Sequence, residues 1–365
     1  MRRMRAAARL TSVTAAVLVC AACGGSSSSG SPAPGASASP VATADSALPA
    51  PDWHWESFRN VEAAVPPGWA HGTGDVAAVQ WCISDTTYAA PYVIRPGIPA
   101  EADACPPDNP APPVDPAFLV AKAGSFVSFT DTTSKSVKDG LIGDRQTRTE
   151  GSVVIRVQAD QATRDKIVGS IRRISTDANG CAVTDPISTD PGARPTPGVA
   201  VATLKDVIKV VACRYSLIGP ALGTSPTASP SPGPAGPLSA AATLLSSVTV
   251  TGSVAADTVH AMGDSAVGGG PNSEQNCPSD AGRGTEAIVL HITSASGASA
   301  VYLRYGGCNG LDDGLVQRVL TRRAVSPYVT GANLIPEYGD VLGGILDDPD
   351  APATSGDPSD AKNGN

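Results

Sequence analysis

Six cysteines spread between residues 82 and 308 constrain the fold of this chain more than any other feature of its sequence. They are Cys82, Cys105, Cys181, Cys213, Cys277 and Cys308. In an exported chain, an even number of widely spaced cysteines predicts disulfides, and six cysteines allow fifteen connectivities that the sequence cannot separate. Their spacing favours nearest-neighbour pairs, 82 with 105, 181 with 213 and 277 with 308, each closure worth about 3–4 kcal/mol. These six cysteines include no closely spaced pair of the kind that zinc sites use, and no metal site is predicted.

Residues 1–22 indicate that the chain is exported. Four arginines, Arg2, Arg3, Arg5 and Arg9, precede a short apolar run over residues 10–19, and Ala21 and Ala22 follow. A basic head, a brief apolar core and small residues at the end form a secretory signal peptide. The apolar run is about half of the ~20 residues that a membrane-spanning helix needs.

Cys23 comes directly after this segment and is followed by a Gly/Ser tract. The order resembles the signal of bacterial lipoproteins, whose cysteine carries the lipid and becomes the mature N-terminus. That family usually has leucine three residues before the cysteine, where this chain has Cys20, with Leu18 displaced. The resemblance implies lipidation at Cys23 and an anchor on the outer face of the cell membrane. A cleaved signal peptide without lipid is the alternative.

The charge of the chain argues against nucleic-acid partners. Removing the four arginines of the signal from the 26 basic residues leaves 22 against 34 acidic ones, a net charge near −12. Such a surface repels nucleic acids and anionic lipid headgroups. Arginine outnumbers lysine, and the chain holds 38 glycines and 33 prolines. This bias is typical of GC-rich genomes and predicts an actinobacterial origin.

Two folded segments are predicted between two tails. Residues 23–50 form a flexible linker of about 30 Å root-mean-square length, and residues 347–365 form a disordered acidic tail. Residues 51–178 and 179–346 are predicted as two disulfide-braced α+β domains, each with an antiparallel or mixed sheet and one or two helices.

Local patterns place the main elements of these domains. Strands are predicted over residues 61–65, 91–96, 151–158, 206–215, 243–251, 287–293 and 300–305. Asp160 is expected to cap a helix over 161–172 and Ser253 a helix over 254–262. Gly297 suits a hairpin turn between the last two strands.

All four tryptophans lie near the beginning of the first domain. Trp69 follows a Pro-Pro-Gly turn and Trp81 adjoins Cys82, so both are predicted to be core residues. Trp53 and Trp55 have the same strand parity and are candidates for a surface that contacts cell-wall glycan. Their alternative role is packing in the core.

The histidines offer no assembled catalytic group. They are His54, His71, His260 and His291. Asp257, His260 and Ser265 resemble lipase motifs in reversed order, and a surface pair of Asp257 with His260 explains them better. His291 alternates with apolar residues and is predicted to face solvent. No partner is placed for any histidine, so no catalytic residue is assigned.

Residues 309–314, Asn-Gly-Leu-Asp-Asp-Gly, resemble a fragment of a calcium loop. The EF-hand pattern also requires alternating oxygen ligands and a closing glutamate, which this segment lacks. A tight turn is therefore expected here.

Two sets of residues resemble recurrent actinobacterial segments. The first set comprises residues 55–61 (WESFRNV), Val65-Pro66, Trp69, Trp81-Cys82 and Arg95-Pro96-Gly97. It resembles a module of exported proteins, some of which accompany extracytoplasmic-function sigma factors. The second set comprises Cys213-Arg214-Tyr215, Gly269-Gly270-Pro271, residues 307–310, residues 312–314 and residues 318–321.

This resemblance implies an extracytoplasmic protein. The proteins that accompany sigma factors span the membrane and have a cytosolic segment, and neither feature is found in this sequence. Sigma-factor binding is therefore not implied.

Taken together, these features favour a non-enzymatic binding or sensory lipoprotein of the cell envelope. The alternatives are a cell-wall-directed hydrolase and a passive protein linking membrane and wall. The expected partners are the lipid bilayer, through Cys23, and a cell-wall glycan or envelope protein, with no nucleic acid and no cofactor.

Overall fold

Three mostly antiparallel β-sheets and a few helices build an α+β fold, as the sequence predicts. The computed structural model describes residues 48–73, 91–95, 124–132, 138–217, 242–268, 284–306 and 309–335, with Leu342 and Ile345. All of these residues belong to one compact unit, Val41–Asn365. The division into two domains at residues 178 and 179 stays a prediction.

The first sheet is a hairpin with one short additional strand. Its strands are β1 (His54–Phe58), β2 (Val61–Val65) and β9 (Arg172–Arg173), in the order β1-β2-β9. In the β1–β2 register, Glu56 lies opposite Ala63 and Ser57 lies opposite Glu62. Because successive side chains of a strand point to opposite faces, the hairpin carries one glutamate on each face.

The second sheet is mixed and has the order β3-β4-β5-β8-β7-β6. Its strands are β3 (Ala70–Thr73), β4 (Tyr92–Arg95), β5 (Phe126–Asp131), β6 (Gly140–Ile142), β7 (Arg145–Glu150) and β8 (Val153–Gln158). The β3–β4 and β4–β5 pairs are parallel, and the other pairs are antiparallel.

Helix α1 (Gln161–Ser170) closes the core between these two sheets. The Asp160 side chain accepts a hydrogen bond from the backbone N–H of Thr163 at 3.0 Å, which confirms the predicted cap. The helix ends two residues before the predicted Arg172, because Ile171 is extended and Arg172 pairs with Glu62 in the sheet. Ile167, Ile171 and Ile174 are buried as predicted.

The third sheet is antiparallel throughout and has the order β11-β10-β12-β13-β14-β15. Its strands are β10 (Val207–Ser216), β11 (Leu244–Thr251), β12 (Glu286–Ser294), β13 (Gly297–Arg304), β14 (Gly310–Asp312) and β15 (Gln317–Arg318). The helices around it are α2 (Pro186–Thr189), α3 (Gly252–Asp264) and α4 (Arg322–Val325). Short 3-10 turns lie at Val201–Thr203, Ser326–Tyr328 and Gly331–Asn333.

Helix α3 begins differently from the prediction. Ser253 lies inside the helix, and Thr251 takes the cap position without a side-chain hydrogen bond. Gly252 turns the chain with a φ of 67°, a conformation that favours glycine, so the turn itself starts the helix.

One predicted disulfide lies among the described residues. Cys181 and Cys213 are joined, with their Cα atoms 5.7 Å apart. The bond ties the loop before α2 to the centre of β10, and both cysteines are fully buried. The other predicted pairs, 82 with 105 and 277 with 308, lie outside the described residues, as does Cys23.

Among the described residues, no helix combines the length and apolar character that crossing a membrane requires.

Candidate functional site

The candidate site is built around Glu56, in the middle of β1. The Glu56 side chain is 2% exposed and lies on the same face of the hairpin as Phe58, which packs in the core. Taking a carboxylate out of water is costly unless charged or hydrogen-bonding partners compensate it. The surroundings of Glu56 supply three such partners.

Two histidines approach the same oxygen of this carboxylate. His54 Nε2 lies 2.9 Å and His71 Nε2 lies 2.8 Å from Glu56 Oε1. His54 is two residues away on β1, whereas His71 comes from β3 in the second sheet. Their side chains are 40% and 21% exposed, so both histidines connect the buried oxygen with solvent.

Arg95 of β4 is hydrogen-bonded to the other carboxylate oxygen, Glu56 Oε2. One terminal nitrogen of its guanidinium donates to Glu56 Oε2, and the other donates to the backbone oxygens of Ser57 and, at 2.9 Å, Leu245. Ser57 belongs to the first sheet and Leu245 to the third, so Arg95 connects all three sheets. Its guanidinium also lies 5.6 Å from the ring centroid of Phe129, a cation–π contact.

These partners keep Glu56 ionised. Burial alone would raise the pKa of its carboxyl, but the charge of Arg95 and the hydrogen bonds from His54 and His71 hold that pKa well below its ordinary value. Oε1 is therefore a carboxylate oxygen that accepts hydrogen bonds from two imidazoles.

The arrangement has the composition of a metal ligand set. Within the described part of the chain, His54, Glu56 and His71 form a group whose ligand atoms all lie within 4.8 Å of one another. Two imidazole nitrogens and one carboxylate oxygen are donors that zinc and related ions accept in proteins.

Sequence reasoning missed this group. The His-Trp-Glu order of residues 54–56 places His54 and Glu56 on one face of a strand, which is a usable signal. His71 and Arg95 join them only through the second sheet, and no local pattern predicts that approach.

Glu62 is buried on the opposite face of the same hairpin. Its side chain is 0% exposed, and Arg172 holds one oxygen through two nitrogens, Nε at 2.7 Å. The backbone N–H of Ala178 donates to the other oxygen at 3.1 Å. Burial raises the pKa of Glu62 and outweighs the opposing effects of Arg172 and Ala178.

The two candidate glycan-contact tryptophans lie beside this second glutamate and helix α1. The Arg172 guanidinium lies 4.1 Å from the ring centroid of Trp55, and Lys166 Nζ lies 5.9 Å from that of Trp53. Both tryptophans are half-buried, and Trp53 packs partly against the core. Their role in glycan contact stays a prediction. Trp69 is buried in the core as predicted, and Trp81 lies outside the described residues.

The Ser-His-Asp group considered from the sequence, Asp257, His260 and Ser265, does not assemble. His260 Nδ1 lies 2.8 Å from Asp264 Oδ2 on the exposed surface of α3, so its partner is Asp264 rather than the predicted Asp257. The hydroxyl of Ser265 donates to the backbone oxygen of Ala261 at 2.9 Å and completes the end of the helix.

The calcium-like segment is only partly the expected tight turn, because Gly310–Asp312 form strand β14 and the turn begins at Asp313. The Asp312 carboxylate accepts hydrogen bonds from Nε and Nη2 of Arg194, each at 2.7 Å. Asp313 accepts the backbone N–H groups of Leu315, Val316 and Val201. Both carboxylates hold the turn and its neighbours in place.

His291 is half-buried rather than solvent-facing. It does lie on the strand face opposite Ile288 and Leu290, as its alternation predicts. A second apolar cluster, which contains Val289, Tyr302 and the disulfide, lies on that face and covers it in part. Burial lowers the pKa of His291.

No protein-family model, curated protein or solved structure matches this chain.

Proposed function

We propose that this protein is a lipid-anchored binding protein of the cell envelope, with a non-enzymatic sensory role. The observation that carries the proposal is the Glu56 site, where two partly exposed histidines converge on one buried carboxylate oxygen. A carboxylate used only for stability is satisfied by fixed partners, as Glu62 is by Arg172 and Ala178. Oε1 of Glu56 instead has two histidine partners that reach solvent. Each imidazole can release the proton that it donates to Glu56, and a cation can take the place of that proton.

The position of the site supports a sensory role. Arg95 binds Glu56 and, through backbone oxygens, the first and third sheets as well. A ligand that binds one oxygen of Glu56 while Arg95 holds the other would therefore act on contacts that connect the three sheets. Binding at one point would be transmitted to the whole fold.

Export and the anchor support the location of this role. Residues 1–22 have the pattern of a signal peptide, and Cys23 lies where bacterial lipoproteins are lipidated. The buried Cys181–Cys213 disulfide agrees with an oxidising compartment. Two disulfide-braced domains, with further pairs 82–105 and 277–308, remain part of the proposal, as does the actinobacterial origin.

Metabolic labelling with an alkyne fatty acid tests the anchor. The wild type should incorporate the label and sediment with membranes, and Cys23→Ala should lose both properties. Cys20→Ala is the matched control, because it removes a neighbouring cysteine of the same segment and should leave labelling unchanged. Labelling of Cys23→Ala at the wild-type level would contradict the anchor.

Incubation with labelled peptidoglycan separates the binding protein from the hydrolase alternative. The proposal predicts no release of soluble fragments beyond that of heat-denatured protein. Fragment release that is abolished by Glu56→Gln would overturn the non-enzymatic role and assign catalysis to this site.

A further inference from the structure

The chemistry of the Glu56 site points to one class of ligand, and this inference rests on the proposed binding function. We infer that His54 Nε2, Glu56 Oε1 and His71 Nε2 bind one divalent transition-metal ion, with Zn²⁺ the ion that fits this donor set best. Two imidazoles and one carboxylate leave a fourth position of a tetrahedral ion open to water or to a further ligand.

The distances between the donor atoms are compatible with such an ion. Tetrahedral zinc with bonds of about 2.0–2.1 Å sets neighbouring ligand atoms roughly 3.3 Å apart. The two histidine nitrogens lie 2.9 and 2.8 Å from Glu56 Oε1, so each pair has to open by about half an ångström. The exposed fractions of His54 and His71 leave their rings free to withdraw by this amount.

Binding of the ion displaces the Nε2 protons of His54 and His71. Each Nε2–H that donates to Glu56 in the metal-free site must give up its proton before that nitrogen can bind an ion. In a neutral imidazole the proton moves to Nδ1, and in a protonated imidazole the Nε2 proton leaves to solvent. The ion then replaces two hydrogen bonds with three coordinate bonds.

Arg95 acts as a positioning residue in this arrangement. It holds Glu56 through Oε2 and leaves Oε1 for the ion, so the glutamate would bind through one oxygen. Carboxylates that bind metals are themselves commonly hydrogen-bonded, which fixes their orientation. The positive charge of Arg95 opposes the ion and keeps the affinity moderate, which suits a sensor that must release its ligand.

The donor set also excludes the abundant hard cations as preferred ligands. Ca²⁺ and Mg²⁺ take oxygen ligands almost exclusively, whereas imidazole nitrogens select zinc, copper, nickel and related ions. Excess Ca²⁺ or Mg²⁺ should therefore leave bound Zn²⁺ in place.

Titration of the purified full chain with Zn²⁺ tests the inference. The protein is first freed of metal with a chelator, and its remaining thiols are alkylated so that cysteine cannot bind zinc. Isothermal titration calorimetry should show one saturable equivalent, and Co²⁺ in place of Zn²⁺ should give the visible absorption of a four-coordinate ion. Circular dichroism of each variant confirms that it folds.

The variants assign the ion to its ligands. His54→Ala and His71→Ala should each weaken Zn²⁺ binding by at least about tenfold. His260→Ala is the matched control, since it removes a histidine paired with a carboxylate elsewhere on the surface, and it should change binding less than about twofold. His54→Ala keeps the test decisive if Glu56→Gln fails to fold, because His54 is the most exposed of the three ligands.

Binding of equal strength in the wild type and both histidine variants would overturn the inference, as would the lack of any saturable binding. Neither result bears on the lipid anchor, because fatty-acid labelling measures that property separately. A wild type that is labelled but binds no zinc would contradict only the metal site. If the wild type binds zinc and the Cys23→Ala variant still carries the fatty-acid label, only the anchor is contradicted.

Discussion

Glu56 and Glu62 lie on the two faces of one β-hairpin, both fully buried and both beside an arginine, yet their environments differ. Glu62 is enclosed by fixed partners, the Arg172 guanidinium and the Ala178 backbone N–H, and it has no exposed surface. Glu56 shares one oxygen between two imidazoles that reach solvent. Burial and a neighbouring arginine are common to both carboxylates, so it is the solvent-reaching, exchangeable partners of Glu56 that distinguish a candidate binding site from a structural carboxylate.

The electrostatic consequences of the two environments are opposite. Burial raises the pKa of both carboxyls, but around Glu56 Arg95 and the two histidines reverse this effect, whereas around Glu62 Arg172 and Ala178 do not. Asp177 adds a negative charge near Glu62 and raises its pKa further. The following variants test this difference between the two faces.

Removal of Arg172 should have the largest effect on stability. Arg172→Ala leaves Glu62 buried without a cation, and breaking a buried pair in this way costs about 3–5 kcal/mol of unfolding free energy. Urea unfolding at neutral pH measures the loss. Arg173→Ala is the matched control, because Arg173 is 61% exposed and its pair with Glu150 should contribute less than about 1 kcal/mol. Equal losses in the two variants would show that the Glu62 pair is not structural.

Removal of the disulfide should affect the Glu62 face selectively. Asp177 accepts a hydrogen bond from the backbone N–H of Cys181, and the neighbouring Ala178 donates to Glu62. Replacing Cys181 and Cys213 with alanine should cost about 2–5 kcal/mol. In amide hydrogen exchange, residues 177–181 should lose more protection than β3 and β4, which carry His71 and Arg95. Uniform loss of protection on both faces would contradict a selective effect.

The pH dependence of stability should have opposite signs for the two glutamates. Because folding lowers the pKa of Glu56, its contribution is present above the ordinary value of 4.5 and is lost as the pH falls below it. Because folding raises the pKa of Glu62, its contribution is largest below 4.5 and is lost as the pH rises through the folded value.

Urea unfolding of the wild type, Glu56→Gln and Glu62→Gln between neutral and acidic pH, with a chelator present, measures these contributions. On acidification, the stability advantage of the wild type over Glu56→Gln should shrink, and its advantage over Glu62→Gln should grow. Slopes of the same sign for both variants would refute the distinction between the two carboxyls.

His54→Ala should have the smallest effect on stability. His54 is partly exposed, and Arg95 and His71 still satisfy Glu56 without it, so the free energy of unfolding in chelator should fall by less than about 1 kcal/mol. In the presence of Zn²⁺, the wild type should gain stability with zinc concentration and the variant should gain much less. Equal stabilisation of both proteins by zinc would place the ion elsewhere.

Local signals in the sequence account for much of the framework. The alternating β-branched residues of β8 and the Asp160 cap of α1 are decided by neighbours in the chain, so the sequence predicts both. The Cys181–Cys213 bond is one of the nearest-neighbour pairs that the cysteine spacing favours. The end of α1 was predicted too late because Arg172 leaves the helix to pair with Glu62, a contact across 110 positions that no local pattern contains.

The candidate site shows why the remainder could not be predicted. His54 and Glu56 are neighbours on one strand face, but they form a site only together with His71 and Arg95. These two residues lie on parallel strands of another sheet. Parallel pairing joins segments that are distant in sequence and leaves no hairpin signal between them. A local sequence pattern therefore indicates His54 and Glu56, whereas no pattern indicates that His71 and Arg95 belong to the same site.

A crystal structure of the protein grown with Zn²⁺, with anomalous data at the zinc edge, tests the metal site most directly. We expect one anomalous peak bonded to His54 Nε2 and His71 Nε2 at about 2.0–2.1 Å and to Glu56 Oε1 at about 2.0–2.2 Å. Arg95 should still hold Oε2, and no zinc should lie near Glu62. A zinc ion bound only at other residues, with both histidines still hydrogen-bonded to Glu56, would contradict the metal site.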